Sequence, residues 1–331
     1  MSETSERILV TGATGFIGAA VARALLQRGY EVRVLARPQA RTDNIDQLDG
    51  EVVRGDLRDA PSLAAAVDGC QGLVHTAADY RLWAADPNEI YQSNVDGTDV
   101  LMQAAMRGGL RRVVYTSSVA TLGTRVDGGT VDETADARLE DMTGHYKRSK
   151  WLAEQRVLAL VEQGLPAVVV NPSAPLGPRD IKPTPTGQII LDTLRGQMPA
   201  YVDTGLNVVH VDDVAAGHVL ALERGAVGRR YILGGENMSL RDILTEVCAL
   251  TGRRVPKVRL PIAAVLPIAH AFELVSRFTG RPPRVTLEGV RMARAKMYFS
   301  SARAEVELGY QARPAHQAIA DAVAWFETWS A

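Results

Sequence analysis

A short apolar run, Arg7–Thr11, leads into Thr11-Gly12-Ala13-Thr14-Gly15-Phe16-Ile17-Gly18 and then into a helical stretch, Ile17–Arg28. This succession of strand, glycine turn and helix limits the possible folds more than anything else in the chain. The three glycines permit, in turn, a tight turn, close backbone approach to a pyrophosphate and close packing of helix on strand. The start of the helix then offers unpaired N–H groups and the positive end of its dipole to phosphate oxygens. A glycine-rich turn alone is a weak signal. Between a strand and a helix it reads as a dinucleotide loop, with Gly12, Thr14, Gly15, Phe16, Ile17 and Gly18 around the cofactor.

The alternation continues. Strands are predicted at Glu31–Ala36, Glu51–Arg54, Gly72–Thr76, Arg112–Thr116 and Ala167–Asn171, with helices at Pro61–Val67, Asn88–Arg107 and Gly144–Gln163. Strands that alternate with helices imply a parallel sheet covered on both faces. From Pro172 to Pro185 five prolines interrupt the chain, so a loop is expected there. Beyond it, strands at Leu206–Val211 and Arg229–Leu233 and helices at Asp213–Arg224, Leu240–Thr251 and Ala315–Trp329 are shorter and more mixed. The expected fold is α/β: a Rossmann doubly wound parallel sheet with a smaller, partly interleaved C-terminal substrate lobe. Residues 1–172 form the core, with 206–228 returning to it, and 173–205 with 229–331 form the lobe. A chain of 331 residues can bury a core of that size.

The second strand ends Val34-Leu35-Ala36-Arg37, where an NAD site carries Asp or Glu for the ribose 2′-hydroxyl. Arg37 is a cation, and Arg41 follows four residues later; both suit a 2′-phosphate. NADP is therefore the expected cofactor and NAD the alternative. Asp56, with Leu57 beside it after the third strand, is placed for an adenine amino group. An ordinary Asx turn explains Asp56 equally well.

Tyr146 and Lys150 stand one helical turn apart in His145-Tyr146-Lys147-Arg148-Ser149-Lys150. A phenol that exchanges protons near neutrality needs its pKa lowered, and a neighbouring ammonium does that. Moving a tyrosine from about 10 to about 7 takes roughly 4 kcal/mol. Only five of the 37 basic residues are lysine, and two of them lie in this run. On spacing alone, a solvated helix face bearing an aromatic and a cation remains open.

Bulk properties exclude several classes. The formal net charge is −1 and the arginine pairs are scattered, so no nucleic-acid surface is indicated. Cys70 and Cys248 are far apart and the six histidines are dispersed, which fits a reducing cytoplasm and gives no metal site. Residues 1–6 are polar, with no signal-peptide core. The apolar run Leu260–Val275 is broken by Pro261, Pro267, His270 and Glu273 and is too short to span a bilayer. A buried helix pair is the expected form. Peripheral membrane contact, as an apolar mouth or lid for a lipid-like substrate, stays open.

With the glycine loop, Asp56, Tyr146 and Lys150 in this order, the chain resembles the extended short-chain dehydrogenase/reductase superfamily over nearly its whole length. Three stretches, 75–83, 177–187 and 201–207, are similar to the bacterial hopanoid-associated sugar epimerase family. The resemblance implies that Ser118, in Tyr115-Thr116-Ser117-Ser118, holds the substrate oxygen while Tyr146 moves the proton. It implies that Lys150 lowers the Tyr146 pKa and bonds the nicotinamide ribose, and that Asn94 positions the lysine through water. Thr116, Ala77 and Ala78 would border the cofactor, and Asn171, Pro172 and Ser173 would line the nicotinamide carboxamide. Tyr80, Arg81, Trp83, His145, Lys182 and Asn207 become candidate substrate contacts. A homodimer is implied through the helices at 88–107 and 144–163, where Val95, Leu101, Met102, Leu152, Val157 and Leu160 would serve an interface or a monomer core alike.

Dehydratases of this superfamily carry an acidic pair after the catalytic hydroxyl; Val119-Ala120 stands here instead. Two reactions remain: net oxidoreduction, as in dihydroflavonol-reductase-like relatives, and sugar 4-epimerisation with retained cofactor. Arg37 tilts toward net NADP(H) chemistry on a sugar-like or hopanoid-linked small molecule. A non-catalytic NADP-binding sensor or scaffold is the reading from a different class.

Overall fold

The computed structural model describes residues 5–125, 127–281, 283 and 285–330. In chain order the first half runs β1 (Arg7–Thr11), α1 (Phe16–Gln27), β2 (Glu31–Ala36), β3 (Glu51–Arg54), α2 (Ala60–Val67), β4 (Gly72–His75) and α3 (Asn88–Tyr91). After a π-helical turn at Gln92–Asp96 come α4 (Gly97–Arg107), β5 (Arg112–Thr116), α5 (Gly144–Glu162), β6 (Ala167–Pro172) and β7 (Ala174–Leu176). The second half holds α6 (Pro185–Leu194), β8 (Ala200–Val202), β9 (Gly205–His210), α7 (Val211–Arg224), β10 (Arg230–Leu233) and β11 (Glu236–Ser239). It closes with α8 (Leu240–Thr251), β12 (Val258–Leu260), α9 (Ile262–Thr279), α10 (Leu287–Met292), α11 (Ala302–Leu308) and α12 (Ala315–Ser330).

Seven parallel strands form the main sheet in the order β10-β6-β5-β4-β1-β2-β3. β1, β4, β5 and β6 are nearly continuous apolar runs because both sheet faces are covered. α1 and α7 pack on one face, and α2, α4 and α5 on the other. The strand order reverses between β1 and β4. The loops after these two strands therefore border the crevice in which open α/β sheets bind ligands.

A three-stranded sheet, β11-β9-β7, and the helices α6, α8 and α12 build the lobe around a separate core. The segment returning to the Rossmann core differs from the expected 206–228. β9 pairs with β7 and β11 in the lobe, whereas α7 lies on α1, and β10 pairs in parallel with β6 at the edge of the main sheet. The return thus spans 211–233, because Tyr231, Ile232 and Leu233 are buried strand residues of the core.

The predicted helix 88–107 is divided by its π-helical turn. Leu101, Met102, Val157 and Leu160 are buried in this chain's own core and carry no argument for a subunit interface. The run at 260–275 is neither a pair of helices nor buried. Leu260 ends β12 and Pro261 precedes the single helix α9, which holds the rest of the run, contains Pro267 and exposes much of its apolar surface.

Candidate active site

The glycine loop is fixed by what surrounds it. Gly12 has φ +78°, and a Cβ there would lie 2.6 Å from the Ala77 amide nitrogen. At Gly18 a Cβ would stand 2.3 Å from the Gly12 carbonyl oxygen, so only glycine lets α1 sit this close to the loop. Gly15 meets nothing nearer than 3.2 Å and is exposed. No side chain caps α1 and its first turn holds no acidic residue, which leaves its N–H groups available to an anion. Phe16 buries its ring in the core and offers its backbone alone, while Thr14 and Ile17 are half-buried. Asn44, buried and unremarked by the sequence reading, braces the loop by donating to the carbonyls of Gly15 (3.4 Å) and Arg179 (3.3 Å).

At the ends of β2 and β3, Arg37 is exposed and its carbonyl accepts from Arg54 (3.1 Å). Arg41 differs from the expectation: its guanidinium is paired with both oxygens of Asp43 at 2.9 and 3.0 Å. Asp56 forms the Asx turn, accepting from the Arg58 backbone N–H at 2.9 Å and from its guanidinium. The Arg58 side chain is the main cause that holds this carboxyl down to about 2. Leu57 packs under α4, where Gly97 leaves it room.

Beyond β4, the Ala77 N–H lies 3.5 Å from the Thr11 hydroxyl, which also meets His75 at 2.6 Å. Burial presses the His75 imidazole down to about 3, so this histidine is a neutral tie between β1 and α4 and not a catalytic base. Ala78 is half-buried in the same loop. Asn94, buried in the π-helical turn, accepts from the Asp79 N–H (2.7 Å) and donates to the Asp79 carbonyl and the Ser149 hydroxyl (both 2.9 Å). It therefore meets α5 directly at Ser149, whose hydroxyl donates to the Tyr146 carbonyl (2.8 Å).

Lys150 is buried. Its ammonium donates to the Thr116 carbonyl (2.8 Å) and the Tyr115 hydroxyl (3.0 Å), and lies 4.7 Å from the centre of the Tyr115 ring. Burial lowers the ammonium to about 8, with Glu154 acting in the opposite direction. Tyr146 is correspondingly unlike its expectation. Burial pushes the phenol above its usual value, a hydrogen bond with Ser118 pulls it partway back, and the Glu288 carboxylate pushes it up further. The strand carbonyl and Tyr115 hold the lysine, so it does not depress the tyrosine.

Ser118 accepts from the Ala120 N–H at 3.1 Å, and its carbonyl accepts from the Asn171 amide at 3.0 Å. Asn171 also bonds Glu154 (3.2 Å), which is paired with Arg230 at 2.6 Å. Asn171 therefore faces the α5 side of the sheet rather than the crevice, because the pleat of β6 directs it there. Pro172 ends β6, and the Ser173 hydroxyl that follows is a buried donor with no partner among the described residues. Thr116, buried, gives its hydroxyl to His218 (2.9 Å).

Of the substrate-contact candidates, the Tyr80 hydroxyl donates to the Lys182 carbonyl (3.2 Å), and the Lys182 ammonium lies over the Tyr80 ring. His145 meets Tyr91 edge-on and within 3.2 Å of its hydroxyl. Trp83 is half-buried. Arg81 is neutralised by Asp79 (2.5 Å) and Glu89 (2.8 Å). Asn207 is removed from the crevice altogether: it donates to Gly235, Asn237 and Phe299 and accepts from Gly235, which ties β9 to its neighbours.

Glu288, on α10, went unnoticed in the sequence. Its buried carboxyl packs against the N-terminus of α5, and Gly144 (φ +80°) makes room for it: a Cβ there would be 1.9 Å from the carboxyl carbon. Burial raises this group to about 7, opposed by the N–H dipoles of His145 and Tyr146 and by Lys147, while its Oε1 has no partner among the described residues. Among the described residues no cluster of three His, Cys, Asp or Glu could hold a metal ion.

The sequence profile of the NAD dependent epimerase/dehydratase family matches residues 8–234. Over 322 residues the chain is 48% identical to a dihydroflavonol 4-reductase-like protein of Synechocystis sp., covering 96% of this chain and 94% of the relative. It is 38% identical over 320 residues to sterol demethylase protein B of Methylococcus capsulatus, covering 96% and 97%. Among solved structures, the crystal structure of gox2253 superposes with a TM-score of 0.88 at 51% identity, covering 98% and 99%.

Proposed function

The chain belongs to the NAD dependent epimerase/dehydratase family and is an NAD(P)-dependent enzyme of the short-chain dehydrogenase/reductase type; within it, we propose net NADP(H)-dependent interconversion of a ketone and a secondary alcohol. The observation that carries this reading is the meeting of Tyr146, Ser118 and Lys150 where β5 ends and α5 begins. The residues present fit the dinucleotide. The uncapped start of α1 and the open Gly15 suit its pyrophosphate, Arg37 its 2′-phosphate, Lys150 its ribose, and the partnerless Ser173 hydroxyl its carboxamide. When bound, the dinucleotide supplies or accepts the hydride at the carbinol carbon.

The protein's part is the proton. Burial keeps the Tyr146 phenol protonated at neutral pH, which is the form that donates to the oxygen of a carbonyl being reduced. Ser118 holds that oxygen, and Tyr146 recovers its proton from solvent after each turnover. Lys150 fixes the end of β5 against α5. Asn94 positions α5 through Ser149.

Arg37 favours a cofactor exchanged at each turnover, and hence net reduction over 4-epimerisation. Arg81, paired with two carboxylates, is not free for the diphosphate of a sugar nucleotide. A sugar-like polyol or a hopanoid-linked lipid fits better, and similarity to a protein named for sterol demethylation supports the lipid. The assay is turnover of purified protein with NADPH and a panel of ketones, aldoses and sugar nucleotides. Stoichiometric loss of NADPH is expected. Isomer formation without net cofactor change would replace this reading with the epimerase. Cofactor binding without turnover on any of them would favour the sensor.

A further inference from the structure

The helix α9 is amphipathic the wrong way round for a lobe helix. At 100° per residue, Ile268, Ala271, Phe272, Leu274, Val275 and Phe278 fall within one arc of about 160°, and all six are exposed. Phe278 is 85% exposed, Val275 57% and Leu274 56%. The opposite side carries the buried Ala269 and Ser276, and α9 packs against α10. The bare stripe amounts to an apolar area on the order of 500 Å², at the upper end of what a soluble monomer exposes in one patch.

Charge identifies what covers it. Residues 252–297 hold ten lysines and arginines against two glutamates, a formal +8 within a chain of −1, so the rest of the chain is −9. Arg253, Arg254, Lys257, Arg281, Arg291 and Arg294 are exposed, and Lys257 and Arg281 flank the two ends of α9. The +8 already includes both glutamates. Glu273 accepts from the Leu287 N–H at 2.7 Å, and Glu288 is buried. A second copy of this chain meeting the face about a twofold axis would bring two such cationic segments together.

We propose that the exposed face of α9 docks on the surface of an anionic lipid bilayer, lying in its plane with the stripe entering the acyl boundary and the arginines at the head groups. Among the described residues no helix is long and apolar enough to cross a membrane, so the contact is peripheral. α10, against which α9 packs, carries Glu288 to the start of α5, so docking places the membrane surface beside the lobe wall of the active site.

The test is co-sedimentation of the full chain with phosphatidylcholine vesicles and with phosphatidylcholine/phosphatidylglycerol vesicles, together with light scattering in solution. Binding to the anionic vesicles is expected, weakened by high salt. Leu274→Glu/Phe278→Glu should reduce that binding roughly tenfold or more while the unfolding midpoint and NADP affinity stay at wild-type values. Pelleting no greater with anionic than with neutral vesicles overturns the proposal, as does a double variant that binds like wild type. So does a wild-type dimer, without vesicle binding, that the double variant splits, since the face would then belong to a second copy.

Discussion

Replacing Lys150 with methionine should separate stability from activity. The lysine is 3% exposed and burial holds its ammonium near 8 instead of 10.5. That fall corresponds to about 3 kcal/mol charged against the folded state at neutral pH. Lys150→Met removes this cost and leaves the Tyr115 hydroxyl and Thr116 carbonyl without their donor, a loss of about 2 kcal/mol for the two. At pH 7 the variant should therefore be as stable as wild type, or about 1 kcal/mol more so. Because the folded value lies below the unfolded one, the unfolded wild-type chain holds more protons between about 8 and 10.5, and wild type gains stability as pH rises through that window. The variant cannot, so its relative stability should drop by about 2 kcal/mol between pH 7 and pH 10. Urea denaturation of both proteins at the two pH values measures this. Turnover should meanwhile fall roughly hundredfold or more. A destabilisation above about 2 kcal/mol at pH 7, or a stability difference independent of pH, would refute the assignment of Lys150 as a strained cation.

Arg37→Asp should weaken NADP binding roughly tenfold or more and NAD binding far less, whereas Arg41→Ala, its guanidinium being held by Asp43, should leave NADP affinity nearly unchanged; titration calorimetry reads both. Glu288→Gln relieves a carboxyl whose folded value is raised to about 7, so wild type loses stability as pH rises from 4.5 to 7 and the variant does not. Denaturation curves should show the two proteins alike near pH 4.5 and the variant more stable at pH 8, by up to about 3 kcal/mol. Gly18→Ala puts a methyl 2.3 Å from the Gly12 carbonyl and should destroy cofactor binding, or the fold, as read by thermal unfolding with and without NADP.

The sequence made the core legible where local chemistry decides it. β1, β2, β3 and β5 have the boundaries their apolar runs predict: β1, β2 and β5 are mostly buried stretches ended by turn residues, and β3, a largely exposed edge strand, is marked by Val52-Val53 before Gly55. The small lobe was less legible. β7, β8 and β12 have three residues each, too few for any period to register, and α6 begins at Pro185 inside a stretch whose prolines read as loop. Within the site, residue identities were legible and their directions were not. Asn171 is turned from the crevice by its place in the pleat of β6, and Lys150 toward β5 by the Thr116 carbonyl, and both depend on neighbours more than 15 residues away. Glu288 meets Gly144 from 144 residues further along the chain, and no local pattern marks it. Burial likewise reverses the Tyr146 shift that the one-turn spacing suggests.

The central claim is net reduction with Tyr146 as the proton donor. Reaction of a converted ketone with deuterium-labelled NADPH, for wild type and Tyr146→Phe side by side, tests it most directly. Wild type should place one deuterium on the carbinol carbon for each NADPH consumed. Tyr146→Phe should bind NADPH as wild type does and lose turnover by roughly a thousandfold. An unlabelled isomer formed without NADPH consumption, or a phenylalanine variant that turns over at the wild-type rate, would contradict the account.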